Sequence, residues 1–316
     1  MQKTIAIIRS VNERTLSACH AILSNDFPPT DLHVVNEMPF EAALRTTFQI
    51  GISSGAEWVM TVDADSLLLP GAGARLIHAA LDYPVSCFQF EGLLFDKFTN
   101  RLRNVGHRLY RARYLAKALT HIPGDGEEIR PEYVTLKRME GQGFRSVQLS
   151  LVLGIHDYEQ FYRDIYRKAF VYANKHHGWL PDIIALCQRR APEDTDFLVA
   201  LHGLHDGLFS PVRPRIDARD YGVKANDVLV SLGLHEKALL NIGNVAAYLA
   251  RTLPAGDPPM PDTDELRQGL FHRIRLAFDH TGLSGIAPYL VGAALSRAGA
   301  FLKRFGERCG HRRALP

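Results

Sequence analysis

Cysteine is scarce and shows no pattern. The 316 residues include four, Cys19, Cys87, Cys187 and Cys309, widely separated and without a CxxC pair. No disulfide framework is implied, and Cys19 and Cys87, set among apolar neighbours, read as core residues. Charge of one sign is also scarce. The formal net charge is +3, too small to argue for a nucleic-acid partner. No uncharged run reaches membrane-spanning length; the nearest, over 281–296, is broken by glycines and Pro288. There are no internal repeats and no low-complexity tracts. The first residues, Met1-Gln2-Lys3-Thr4-Ile5, lead directly into a strand pattern. The expectation is therefore no signal peptide and a reducing cytoplasm.

What is present is enough to build a large core. The chain is 46% hydrophobic and 22% charged, as in ordinary globular proteins. Its length suits one large domain or a catalytic domain with an appendage. The excess charge is local. Lys303, Arg304, Arg308, Arg312 and Arg313 against Glu307 make residues 301–316 +4, which leaves the rest at about −1.

The apolar run over 4–8 reads as a strand buried on both faces. A polar turn follows, then a helical spacing over 15–23 that ends at Pro28 and Pro29. Strands are expected over 32–35, 57–62, 85–90 and 145–152. Helices are expected over 40–51, 72–81 and 157–176. Strand–helix alternation in the first half predicts an α/β fold: a mostly parallel, Rossmann-like central sheet flanked by helices. Beyond about residue 178 strand signals fade and Pro-rich breaks separate helical segments. The expected organisation is a catalytic domain over 1–178 and a mainly helical region over 179–316.

The most informative stretch is Glu57-Trp58-Val59-Met60-Thr61-Val62-Asp63-Ala64-Asp65. A buried strand ends in two carboxylates one residue apart, where open α/β sheets bind ligands. Adjacent carboxylates repel and are costly to desolvate, so a divalent cation between them and a substrate is expected. Two aspartates at a strand end can also be a solvated turn.

The surroundings favour the cation. Phe40-Glu41-Ala42-Ala43-Leu44-Arg45-Thr46 and Gly51-Ile52-Ser53-Ser54-Gly55 precede that strand, and Pro131 to Arg145 and Leu151-Val152-Leu153-Gly154-Ile155-His156 follow it. In this order the segments resemble the GT-A nucleotide-sugar glycosyltransferases, in particular the family 2-like inverting enzymes, over roughly residues 4–157. The resemblance implies the GT-A fold and transfer of a sugar from a nucleotide diphosphate donor, with uridine diphosphate expected, to a saccharide or lipid-linked acceptor. It implies that Asp63 and Asp65 hold the metal and diphosphate and that His156 completes the metal site. Mn2+ or Mg2+ is expected, with His156 tilting the choice toward manganese. Arg45 falls on the family's arginine, with Thr46 where asparagine is usual. Asn36 and Glu37 fall where an acidic residue contacts nucleobase and ribose. Arg9 ends the first strand, alongside the nucleotide. Glu132 takes the place of the general base, with Glu127 and Glu128 as rivals.

Each residue also has a plainer reading. Arg45 can pair with Glu41 one helical turn away. Glu132 can be a helix N-terminal carboxylate beside Pro131. His156 can bond Asp157. Gly106-His107-Arg108-Leu109-Tyr110-Arg111 can hold phosphates or be a turn and a strand edge. The expected helix over 157–176 carries an aromatic stripe and the i,i+4 pairs Glu159/Arg163 and Asp164/Lys168. The segment over 291–308 reads as a basic amphipathic helix that can pack on the helical region or lie peripherally on an anionic membrane. Two other functions fit an Asp-x-Asp strand: a haloacid dehalogenase-type phosphohydrolase, which carries the motif on its first strand, and a non-catalytic sugar-binding protein.

Overall fold

The computed structural model describes residues 3–253, apart from 176, 177, 212, 213, 216, 217 and 241. The basic segment over 291–308 and Cys309 lie outside the described residues. In chain order the elements of the first half are β1 (Thr4–Arg9), α1 (Leu16–Leu23), β2 (Leu32–Val35), α2 (Phe40–Ser53), β3 (Trp58–Asp63), β4 (Ser66–Leu68) and α3 (Ala72–Leu81). Next come β5 (Cys87–Asp96), β6 (Arg101–Arg103), β7 (His107–Arg111), α4 (Leu115–Leu119), α5 (Pro131–Glu140) and β8 (Arg145–His156). Five helices follow: α6 (Tyr162–Lys175), α7 (Leu180–Arg190), α8 (Thr195–Phe209), α9 (Gly222–Ser231) and α10 (Val245–Thr252).

The sheet runs β2-β1-β3-β7-β5-β8-β4, with β6 paired to β5. The pairings orient β1, β2, β3, β5 and β8 one way and β4, β6 and β7 the other. The expected parallel frame is thus present, with three antiparallel insertions. Cover on both faces explains why β1 is apolar from Ile5 to Ile8. Ala6 and Ile8 pack with Cys19 of α1 and Leu76 of α3. Ile5 and Ile7 pack on the opposite face with Leu44 and Phe48 of α2 and Met139 of α5.

Two strands run past their expected ends. All ten residues of β5 are buried, and β5 reaches Asp96. β8 pairs with it through several register shifts and continues to His156. The longer strands set Asp96 opposite His156. The basic cluster over 106–111 is a strand in the sheet. His107 is buried, accepts from the Gly92 N–H through Nε2 and sits against Val105 O through Nδ1. Burial pushes its pKa down to about 3, so it is a neutral core group.

α6 starts later than the periodicity suggests, because Asp157 and Glu159 adopt positive φ of 64° and 57°. Its first N–H groups, on Tyr162 and Arg163, are capped by the carboxylate of Glu236. Ile165, Tyr166 and Phe170 form a second core with α7, α8 and α9. Gly203 of α8 permits this contact: a Cβ there would lie 2.5 Å from Tyr166 O. The aromatic stripe of α6 is therefore core, and its opposite edge faces the site.

Candidate active site

The site forms where β1, β3, β5 and β8 end. β4 is the device that assembles it. Immediately after Asp65, the chain turns into β4, which pairs antiparallel with the end of β8 so that Ser66 faces His156. The Asp157 N–H then donates to Asp65 O at 3.1 Å. A strand ending in Asp-x-Asp is thereby brought to the His156-Asp157 pair, distant in sequence. Gly106 allows the close approach. It has φ +70°, and a Cβ there would lie 2.9 Å from His156 Cδ2 and collide with Ser66 Oγ.

Asp65, His156 and Asp157 are all buried, and their ligand atoms lie within 4.8 Å of one another. His156 Nδ1 is 2.8 Å from Asp96 Oδ2, and its Nε2 points toward Asp65 Oδ1 at 3.5 Å. Asp96 is fully buried and also accepts from Thr99 and Arg103. Asp157 Oδ2 also lies 3.2 Å from Nδ1, so Nε2 is directed at Asp65 alone. A carboxylate behind an imidazole whose other nitrogen faces a second carboxylate is the usual outer support of a metal-binding histidine. Two carboxylates and one imidazole suit Mn2+ or Mg2+ with positions left for phosphate and water. The donor set therefore fits the expected ion through Asp65 and His156, with Asp157 as third member.

Asp63 is engaged differently. Its Oδ1 accepts from Nε and Nη2 of Arg9 at 2.8 Å each. Arg9 also donates through Nη1 to Glu132 Oε1 at 2.8 Å and lies over the Phe40 ring. Burial pushes the Asp63 carboxyl up; Arg9 opposes this, and Asp65 and Glu132 add to the rise. Arg9 lines the cavity and is buried between two acids. The phosphohydrolase alternative requires the first aspartate as a nucleophile on the first strand. Asp63 ends the third strand and is held by Arg9.

Glu132 lies behind Arg9 and does not have the surroundings of a base. Oε1 accepts from Arg9 and, at 2.7 Å, from the Tyr110 hydroxyl, while Arg108 Nε lies 3.9 Å from Oε2. Burial opposes its ionisation, but Arg9 and Arg108 outweigh burial and hold it down to about 2. A carboxylate so held is a weak proton acceptor. The rivals lie elsewhere: Glu127 accepts from the Gly124 N–H, and Glu128 lines a different opening.

Arg45 and Asn36 are not brought into the cavity. Arg45 binds Asp125 and Pro123 O, and Glu41 accepts from the Gly126 N–H, so α2 anchors the loop before α5. Asn36 donates to Asn12, whereas its neighbour Glu37 does line the cavity.

The cavity has a volume of about 190 Å³. Its lining combines Asp63, Asp65, His156 and Asp157 with Arg103 and, from α6, Arg167, Lys168 and Lys175. The α6 residues fall at i,i+4 spacing with Val171 and Tyr172, hence on one helix face. Lys168 does not pair with Asp164. Its Nζ lies 2.5 Å from Asp65 Oδ2 and bonds Asp157 Oδ1. Burial would raise the Asp65 carboxyl, but Lys168 and His156 hold it well below the carboxylate range. Burial opposes charge on His156, yet Asp157, Asp65 and Asp96 raise it to about 9. Asp164 pairs with Arg167, and Glu159 pairs with Arg14 rather than Arg163. Sequence reading missed Asp157, Lys168 and Lys175. The available signal was the cationic i,i+4 spacing of α6, masked by its aromatic face.

No protein-family model and no curated protein matches the chain. Among solved structures it is similar to the mannosyltransferase PcManGT from Pyrobaculum calidifontis in complex with GDP-Man and Mn2+, at 12% identity and TM-score 0.41, over 93% of this chain and 86% of that one. It is similar to S. aureus TarS 1-349 in complex with UDP-GlcNAc, at 12% identity and TM-score 0.33, over 77% and 98%. It is also similar to a 4-diphosphocytidyl-2C-methyl-D-erythritol synthase, at 16% identity and TM-score 0.33, over 48% and 90%.

Proposed function

We propose that the protein is a metal-dependent glycosyltransferase that moves a sugar from a nucleotide diphosphate donor, with uridine diphosphate sugars the first choice, to a saccharide or lipid-linked acceptor. The observation that carries this reading is the mixed lining of the cavity: an acid–histidine cluster and the cationic stripe of α6 meet at the ends of β1 and β3. A diphosphate with its cation is the ligand that needs both sets of residues. Its negative charge suits Arg103, Arg167 and Lys175, and Asp65, His156 and Asp157 would hold a cation that offsets the remaining charge.

When bound, such an ion stabilises the charge that develops on the leaving diphosphate. The chain's own residues supply the rest. Arg9, fixed between Asp63 and Glu132, orients Asp63 at the cavity floor. Glu132 acts as the positioning residue for Arg9, in place of the proton-accepting role that its alignment suggested. Glu37, Met38 and Phe40 form the lip along which the nucleoside lies. The acceptor side is the neighbouring opening of about 600 Å³, lined by Arg130, Tyr133, Asn174 and Ser210, between α5, α6 and the segment that follows α8. Attack from that side, opposite the diphosphate, inverts the anomeric centre. No helix among the described residues is long and apolar enough to cross a membrane.

The test is binding followed by turnover. UDP and GDP, each with and without Mn2+, are screened by thermal shift, since a ligand that binds the native state raises its stability. Asp65→Asn is expected to lose the Mn2+-dependent part of the shift. Donor sugars that stabilise the protein are then assayed for release of the nucleoside diphosphate. A melting temperature indifferent to every nucleoside diphosphate sinks the proposal.

A further inference from the structure

Lys168 occupies the position between the two carboxylates that a divalent ion needs. Its ammonium lies 2.5 Å from Asp65 Oδ2 and also bonds Asp157 Oδ1. The side chain is 15% exposed and comes from α6, the helix that forms the cationic wall. These are two of the three residues able to hold a metal; the third, His156, keeps its Nε2 directed at Asp65. An ammonium and a divalent ion cannot share this position, because like charges at contact distance repel strongly where burial removes screening water. One lysine neutralises one of the two carboxylates and leaves one negative charge. A divalent ion neutralises both.

We propose that Lys168 is a tethered occupant of the cation seat, which a divalent ion displaces and which then turns along the same wall onto the donor's diphosphate. The proposal rests on the glycosyltransferase reading for its second half only; the exchange itself concerns the seat. The direction of the swing follows from the cavity lining. Lys168 borders the cavity together with Arg103, Tyr172 and Lys175, so a released ammonium moves to an anion site without leaving α6. Without metal the lysine offsets part of the seat's charge and lessens the repulsion between the acids, and a metal binds tightly only with an anion present to receive the lysine.

The experiment measures Mn2+ alone. Free Mn2+ is followed by electron paramagnetic resonance as wild type, Lys168→Met and Lys168→Gln are titrated, with thermal unfolding to establish that each variant folds. Without a nucleotide, both variants are expected to bind one Mn2+ at least tenfold more tightly than wild type. With UDP added, wild type gains Mn2+ affinity, and the variants gain at least tenfold less. Variants that bind Mn2+ no more tightly than wild type, including the case where none binds it, overturn the exchange. If UDP still stabilises wild type in that case, the glycosyltransferase reading stands and only the role of Lys168 falls. If Lys168→Met does not fold, Lys168→Gln decides; if neither folds, Lys168 is a structural cation and the proposal is overturned.

Discussion

Lys175 makes opposite predictions for stability and for binding. It lines the cavity at the last turn of α6 and has no hydrogen-bonding or ion-pair partner among the described residues. Burial, with repulsion from Arg130 and Arg103, pushes its pKa down to about 8, against weaker attraction from Asp63 and Glu132. The ordinary value is 10.5, so the folded state disfavours the charged form. At about 1.4 kcal/mol per pKa unit, the drop amounts to roughly 3 kcal/mol, reduced to about 1–3 by water on the open side of this half-buried group. The sign follows from proton counting. Below pH 8 both states hold the proton and the full cost is felt. Between 8 and 10.5 the unfolded chain binds more protons, so wild-type stability rises with pH, and above 10.5 the cost is gone.

Lys175→Met should therefore stabilise the fold by about 1–3 kcal/mol at pH 7, and by nothing near pH 10.5. The same change should weaken UDP or GDP binding roughly 10–100-fold, the worth of one charge-assisted contact. Wild-type affinity should fall as pH rises above about 8, because the ammonium that receives the phosphate is then lost. Denaturant unfolding at the two pH values and calorimetric titration of UDP measure these quantities. A variant that is less stable at pH 7, or that binds UDP as wild type does, refutes the assignment of Lys175 as an unpaired cation awaiting an anion.

Two further substitutions probe the site's construction. Glu132→Gln should cost on the order of 2–3 kcal/mol at pH 7, since a pKa held near 2 stabilises the fold fully above about 4.5, a gain lost as pH falls toward 2. Its activity should drop roughly tenfold through misplacement of Arg9 with the acid limb of the pH–rate profile unmoved; loss of that limb in a well-folded variant would return Glu132 to the role of base. Gly106→Ala should cost about 2–4 kcal/mol from positive φ and from contact with Ser66 and His156, and should weaken Mn2+ binding by shifting His156; wild-type Mn2+ affinity in this variant would show that the close approach is not needed.

The elements that were legible in the sequence were those whose pattern is local. The apolar run of β1 and the strand ending at Asp63 announced a sheet with ligands at its carboxyl ends, because period and termination are properties of consecutive residues. The pairing of β4 with β8 was not legible. It joins Ser66 to His156 across ninety positions of chain, and no local pattern encodes it. For the same reason Arg45, matched by its place in a motif, turned out to anchor a loop at Asp125, while Glu132, matched more loosely, pairs with Arg9 of the cavity lining. Charge on α6 was visible but misassigned. An i,i+4 pair such as Asp164/Lys168 is worth only a few tenths of a kcal/mol on a helix surface. Lys168 instead meets two buried carboxylates, Asp65 and Asp157, whose desolvation demands a cation far more strongly. Tertiary burial therefore decides which partner a lysine takes. In this site it places an ammonium where the Asp-x-Asp strand alone called for a metal.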